Sequence, residues 1–314
     1  MSKYVAKVIA LSGEIMSEDL PIVCPHYVAM DDLVIKEFAK NMTTPLSSSW
    51  GLSPSLDEQL SRCPDDLRTK IIIVYELLAS SINYCYWYGW ATLRPSGSGS
   101  SYIYKMLDDS IIDVLSNINH IEFYGVYRVI NRIINGFKKR LKKSGITMLG
   151  ERLNHISELE PNICEFVDDL YENHLSYGVD IDKFFDKIFD NFPGFAEDLF
   201  LKRLMLLIMQ LNRRLSWFRV SMPELIVPAD YQIPKMLRAM KCLNYSPSLS
   251  NKVDNEELIP KYSREEVEIR AATILTCIKI AKIQNLTCEQ VDSVLWLSRK
   301  GVVSPHHLTV TTDY

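Results

Sequence analysis

Leu201, Leu204, Ile208, Leu211 and Leu215 recur three or four positions apart within residues 197–217, a spacing that lines one face of an α-helix and no face of a strand. The same period returns along the rest of the chain. Pro64-Asp65-Asp66 opens a helix with acids in its first turn, running through Ile71, Val74, Leu77 and Leu78 toward Trp87. Phe184, Phe185, Ile188 and Phe189 mark a short amphipathic helix over 182–190. Ser263-Arg264-Glu265-Glu266 and Thr287-Cys288-Glu289-Gln290 read as capping boxes. Lys138, Lys139, Arg140, Lys142 and Lys143 crowd the last turns of another helix, with Gly145 placed for a left-handed cap. Alternating runs are scarce; the one at 307–312 predicts a short edge strand. The expected fold class is therefore all-α, mainly helical, with a few short strands near the termini.

No repeat of fixed period and no clear linker interrupts the 314 residues, of which 47% are hydrophobic. One helical domain over 1–314 is expected, with an N-terminal extension at 1–55 that ends in a Pro- and Ser-rich stretch containing Trp50. Thirty-five basic residues against 39 acidic ones give no bulk attraction to nucleic acid or to acidic membranes. An anionic ligand must then be met by a few placed side chains. No run approaches the roughly 18–20 apolar residues of a membrane span, and Glu14, Glu18 and Asp19 spoil the apolar start as a secretory signal. The seven cysteines form no Cys-x-x-Cys pair, and apart from the adjacent His306 and His307 the histidines are scattered. The expectation is a soluble, cytoplasmic monomer with no metal and no cofactor, and with neither nucleic acid nor membrane as a direct partner.

Two stretches stand out as candidates for chemistry. In Ile226-Val227-Pro228-Ala229-Asp230-Tyr231-Gln232-Ile233-Pro234-Lys235 two prolines hold an acid and an aromatic on a rigid connector, and Pro234 suits the first position of a helix over 235–243. Free N–H groups of that helix would point back at Asp230. The same pattern describes an ordinary turn with a capping acid. In Ile82-Asn83-Tyr84-Cys85-Tyr86-Trp87-Tyr88-Gly89-Trp90 the rings either pack a helix end or form a stacking platform for a planar heterocycle, with Asn83 able to read a donor and an acceptor on its edge. Arg94-Pro95-Ser96-Gly97-Ser98-Gly99-Ser100-Ser101 reads as a mobile loop, lacking the Gly-Lys-Ser/Thr ending of a P-loop. Lys202 and Arg203 stand early in their helix, where the dipole disfavours cations, which predicts an acidic or anionic neighbour.

Taken in order, five blocks resemble one family. They are Ile82-Asn83-Tyr84-Cys85-Tyr86-Trp87, Lys202-Arg203, Ala229-Asp230-Tyr231-Gln232-Ile233-Pro234, Glu266-Val267-Glu268-Ile269-Arg270, and Asp292 with Leu295-Trp296, followed by Pro305-His306-His307. The chain from about Asp65 onward resembles the queuosine salvage family of queuosine 5′-phosphate N-glycosylases, whose patterns read Leu-Asn-Phe-Cys-Phe-Trp, Tyr-Lys-Arg-Ala-Gln, Ala-Asp-Tyr-Arg-Val-Pro-Gln and Glu-Ile-Arg. The likeness is weakest over 97–180. Gln232 and Lys235 stand where the family has Arg and Gln, Leu308 where it has Arg, and Trp50 where a His is expected near the pocket.

The resemblance implies a fold similar to that of helical DNA glycosylases, and hydrolysis of the bond between ribose C1′ and a modified 7-deazaguanine to release queuine for tRNA modification. Positive charge grows on C1′ and the ring oxygen as the base leaves, and a nearby carboxylate stabilises it. On this resemblance Asp230 is the catalytic residue. Asn83, Tyr84, Trp87, Tyr231, Asp292, Trp296 and Trp50 are base-side or pocket candidates, and Lys202, Arg270 and His307 are candidates for the phosphate. Arg270 could equally pair with Glu266 four residues before it. Two rivals remain: a non-catalytic helical ligand-binding or adaptor protein, and a DNA-repair glycosylase, which would need a basic face and a Gly-rich hairpin not found here.

Overall fold

The computed structural model describes residues 1–17, 26–43, 52–87, 99–117, 125–177, 180–215 and 225–314, and all structural statements concern these. Their order is α1 (Lys3–Ile15), β1 (Val28–Met30), α2 (Asp32–Asn41), α3 (Pro54–Ser61), α4 (Asp65–Ser81), α5 (Gly99–Ser116), α6 (Val126–Lys143), α7 (Leu149–Leu159), α8 (Ile163–Tyr177), α9 (Ile181–Asn191), α10 (Lys202–Leu215), α11 (Gln232–Ala239), β2 (Leu243–Tyr245), α12 (Pro247–Asp254), α13 (Arg264–Gln284) and α14 (Cys288–Ser298). The protein is mainly α, as the helical period requires. Among the described residues no helix is long and apolar enough to cross a membrane.

Several helices begin at a side-chain cap. Ser53 and Ser246 each accept an N–H of their helix just ahead of a proline in its first turn, and Asp31 and Asp180 do the same at α2 and α9. Thr287 and Gln290 close a complete capping box. At α13 the box is only half made: Ser263 accepts the Glu266 N–H, but the Glu266 carboxylate turns to the Tyr262 N–H. Gly145 takes the left-handed conformation after α6, φ 66°, as its place behind the basic cluster predicts.

The chain divides into two units. In the first (Met1–Ser48, Asp198–Met205 and Val220–Tyr314) α13 is the central element, buried on nearly every side through Ile269, Ala271, Ala272, Ile274, Cys277 and Ile280. Helices α1, α2, α11 and α14 and strand β1 pack around it. Strand β1 pairs antiparallel with β2, Val28 opposite Tyr245 and Met30 opposite Leu243. In the second unit (Ser49–Glu197 and Leu206–Arg219) α4 holds the same place, with Ile71, Ile73, Val74, Leu77 and Leu78 buried and α5, α6, α7 and α8 against it. Its one buried carboxylate, Glu76, pairs with Arg214 of α10 and accepts from the Tyr104 hydroxyl at 3.1 Å.

Four boundaries differ from the sequence expectation. Helix α4 stops at Ser81 rather than running toward Trp87, and Cys85 takes φ 42°, so the described part of the aromatic cluster lies on irregular chain. Helix α10 starts at Lys202 rather than 197, because Leu201 is left-handed at φ 52° and Asp198 caps the new start. Helix α11 starts at Gln232, so Pro234 is its third residue rather than its first. The strand expected over 307–312 reduces to a single parallel bridge between Leu258 and Leu308. Of the loop expected over 94–101, residues 99–101 open α5, and 94–98 lie outside the described residues with Trp50 and Trp217.

Candidate active site

Asp230 is held by the start of α11. Its Oδ1 accepts the backbone N–H of Gln232 at 2.7 Å and of Ile233 at 3.3 Å, so the carboxylate sits at the positive end of the helix dipole. Its own N–H donates back to the Pro228 carbonyl at 2.7 Å, tightening the turn between the two prolines. Oδ2 makes no hydrogen bond to the described residues and is left for chemistry. The side chain is half-buried, between a wholly buried Ala229 and a Tyr231 that is 8% exposed.

The residue before the acid hangs from Arg270. The Arg270 Nε–H donates to the Ala229 carbonyl at 2.9 Å, while Nη1 and Nη2 each donate to an oxygen of Asp198 at 2.7 Å. Phe200 and Tyr314 lie on the guanidinium with ring centroids 4.6 and 4.3 Å from Cζ. Burial alone would lower the Arg270 pKa, and the Asp198 charge more than reverses that; burial pushes Asp198 up, and Arg270 holds it below its usual value. Arg270, expected at the phosphate, is 0% exposed and its fork is occupied by Asp198 and the Ala229 carbonyl. The pair with Glu266 exists, but at 3.6 Å it is secondary to Asp198.

Lys202, 3% exposed, opens α10 with its backbone N–H on Asp198 Oδ2 at 2.7 Å. Burial brings its ammonium down to about 8, against the opposing pull of Asp230, its foremost opposite charge. The anionic neighbour expected of Lys202 is thus Asp230 together with Asp198. His307 is 1% exposed, with Nε2 3.1 Å from the Tyr314 hydroxyl. Burial, His306 and Arg270 lower its pKa to about 3. The imidazole, expected at the phosphate, is enclosed here beside Tyr314.

Tyr231 lies on the His306 ring, centroids 4.6 Å apart and tilted 37°. His306 Nδ1 is 2.8 Å from the His307 carbonyl, which only accepts, so Nδ1 carries the proton. Trp296 is half-buried on α14, and the Arg299 guanidinium lies over its indole. Asp292 is 8% exposed, and its charge, after burial, raises the thiols of Cys277 and Cys288. That charge is felt in the core between α13 and α14.

In the second unit, Asn83, Tyr84 and Trp87 follow the end of α4. Arg152 of α7, 0% exposed, shapes this segment. Its Nη2 donates to the Tyr84 carbonyl at 2.6 Å, Nη1 to the Ile82 carbonyl and Nε to Thr147 at 2.9 Å. Its guanidinium lies 4.3 Å from the Tyr84 ring centre and 4.9 Å from that of Tyr86. Tyr84 is 1% exposed and meets His155 edge-on, whereas Trp87 is half-buried.

A family model described as queuosine salvage protein matches residues 64–311. The chain belongs to the queuosine salvage protein family. The match takes in α4 with the segment after it, the start of α10, the Asp230 connector, α13 and α14. A relative in Dictyostelium discoideum, named queuosine 5′-phosphate N-glycosylase/hydrolase, is 25% identical over 270 residues, 78% of this chain and 79% of that protein. One of the same name in Sphaerobacter thermophilus is 36% identical over 99 residues, 29% of this chain and 31% of that protein.

Sequence reasoning missed Asp198, Arg299 and Arg152. Asp198 stands four residues before Lys202, the one local signal that could have found it. Arg299 reads as an ordinary cation at a helix C-terminus, and Arg152 lies where the family resemblance is weakest.

Proposed function

We propose that this queuosine salvage protein is a hydrolase that cleaves the N-glycosidic bond of queuosine 5′-phosphate and releases queuine. The observation that carries the reading is the Asp230 carboxylate, one oxygen fixed by two helix N–H groups and the other without a hydrogen bond among the described residues, in a chain whose relatives are named for that reaction. As the base departs, C1′ and the ring oxygen gain positive charge, and a carboxylate already oriented by backbone stabilises it without reorganising. Asp198 and Arg270 keep the connector in place. Lys202 supplies the opposing charge beside Asp230.

The leaving base carries carbon where guanine has N7, so the protonation that helps ordinary purines depart is absent. Release then depends on hydrogen bonds to the base's polar edge. In the unit that carries Asp230 we assign base binding to Tyr231, Asp292 and Trp296. The protein acts as a cytoplasmic monomer on a free nucleotide and without direct contact to nucleic acid.

Incubation with queuosine 5′-phosphate, followed by mass spectrometry for free queuine and ribose 5-phosphate, tests the reading. Both products are expected in equal amounts. Intact nucleotide at high enzyme concentration would refute the reaction and favour a ligand-binding role.

A further inference from the structure

Arg270 is saturated by Asp198 and Ala229, and His307 is neutral and enclosed. Lys202 is buried against the Asp230 charge. A phosphate dianion nevertheless needs charge-assisted donors. Lys235 and Arg299, near the Asp230 connector, form no ion pair with a carboxylate among the described residues.

Arg299 follows α14 directly. Its Nη1–H donates to the Trp296 carbonyl at 2.5 Å, and its guanidinium lies on the Trp296 indole. It forms no ion pair with a carboxylate among the described residues, and it is half-exposed. Asp230 and Tyr231 are the groups whose charge it feels, against a burial that lowers its pKa. Lys235 lies on α11, also half-exposed, with no hydrogen bond or ion pair among the described residues. Burial lowers its pKa, and the charge acting on it is another cation, Arg299.

Lys235 stands on α11 and Arg299 directly after α14, two helices that pack on each other. Asp230 already acts on Arg299, whereas Lys235 has no carboxylate partner among the described residues; the two cations together match the charge of a phosphate dianion. The reach is also right. Lys235 stands three residues beyond Gln232, whose N–H holds Asp230, which is about 4.5 Å along the helix axis. That is the scale of the ribose between C1′ and a 5′-phosphate.

We infer that Lys235 and Arg299 form the anion subsite that takes the 5′-phosphate, with Trp296 as the shelf that orients the guanidinium. The inference rests on the proposed nucleotide substrate. It also separates this chain from the family pattern, which carries Gln at the position of Lys235.

Two measurements test it on the full-length protein. The first is the ratio of kcat/KM for queuosine 5′-phosphate to that for the nucleoside. Losing one charge-assisted hydrogen bond is expected to lower this ratio about 10- to 100-fold in Lys235→Gln and in Arg299→Gln, while Lys235→Arg retains it. The second is calorimetric binding of ribose 5-phosphate, which is expected to weaken in parallel. Unchanged ratios and unchanged ribose 5-phosphate affinity in both Gln variants would overturn the subsite. A wild-type protein that binds ribose 5-phosphate through these residues yet releases no queuine would refute the reaction and leave the subsite standing.

Discussion

Arg270 grips both carboxylate oxygens of Asp198 at 2.7 Å, and the same guanidinium carries the carbonyl of Ala229, the residue before the proposed catalytic acid. Asp198 in turn accepts the N–H groups of Phe200 and Lys202. One buried ion pair therefore fixes the start of α10, the middle of α13 and the Asp230 connector. Breaking such a pair from one side leaves an uncompensated charge in the core, a cost of about 3–5 kcal/mol. Arg270→Met and Asp198→Asn are each expected to lose that much in denaturant unfolding followed by tryptophan fluorescence. The double variant Arg270→Met/Asp198→Leu is expected to recover part of the loss. Single losses below about 1 kcal/mol, the size of a surface pair, would show that the pair does not anchor the connector.

Lys202 gives the reaction a basic limb. Its ammonium is lowered from 10.5 to about 8 in the folded protein, so it is charged below that pH and neutral above. If its charge serves the reaction, kcat/KM falls above about pH 8, and Lys202→Arg removes that limb. Stability moves the other way. Between about 8 and 10.5 the unfolded chain holds a proton that the folded one has released, so the Lys202 contribution rises with pH. Comparison with Lys202→Met across that window isolates it. A pH profile for Lys202→Arg that matches wild type would exclude the assignment.

Arg152→Met removes the donors to the Ile82 and Tyr84 carbonyls and leaves them buried. The Ile82 carbonyl keeps the Tyr84 N–H at 3.1 Å, so the desolvation cost of about 1–3 kcal/mol falls on the Tyr84 carbonyl. The variant is expected to lose stability on that scale and to exchange its amide hydrogens faster over 82–86. If Asn83 and Tyr84 hold the base, KM for queuosine 5′-phosphate rises by more than kcat falls. Unaltered exchange over 82–86 would mean that Arg152 does not set this backbone.

Helices α4, α6, α9, α10, α13 and α14, and the caps at Thr287 and Gly145, were legible because they depend on residues three or four apart. The connector was legible too, since two prolines and a capping acid act within ten residues. What failed depends on distant partners. The end of α4 is set by Arg152, some seventy positions away, and no local pattern marks Cys85 for a positive φ. Arg270 looked free for a phosphate because its local partner, Glu266, is the weaker one, while Asp198 stands 72 residues before it. His307 carries no sequence sign of burial, and its neutrality follows only from the enclosure around Tyr314 and Arg270.

The central claim is that the Asp230 carboxylate drives loss of the base, and Asp230→Asn tests it most directly. The amide oxygen can still accept the Gln232 and Ile233 N–H groups, so the fold and nucleotide binding are expected to persist, checked by circular dichroism and calorimetry. Single-turnover release of queuine from queuosine 5′-phosphate is expected to fall at least about 100-fold, as when one stabilising group for transition-state charge is removed. Release at the wild-type rate by a folded, nucleotide-binding Asp230→Asn protein would contradict the account.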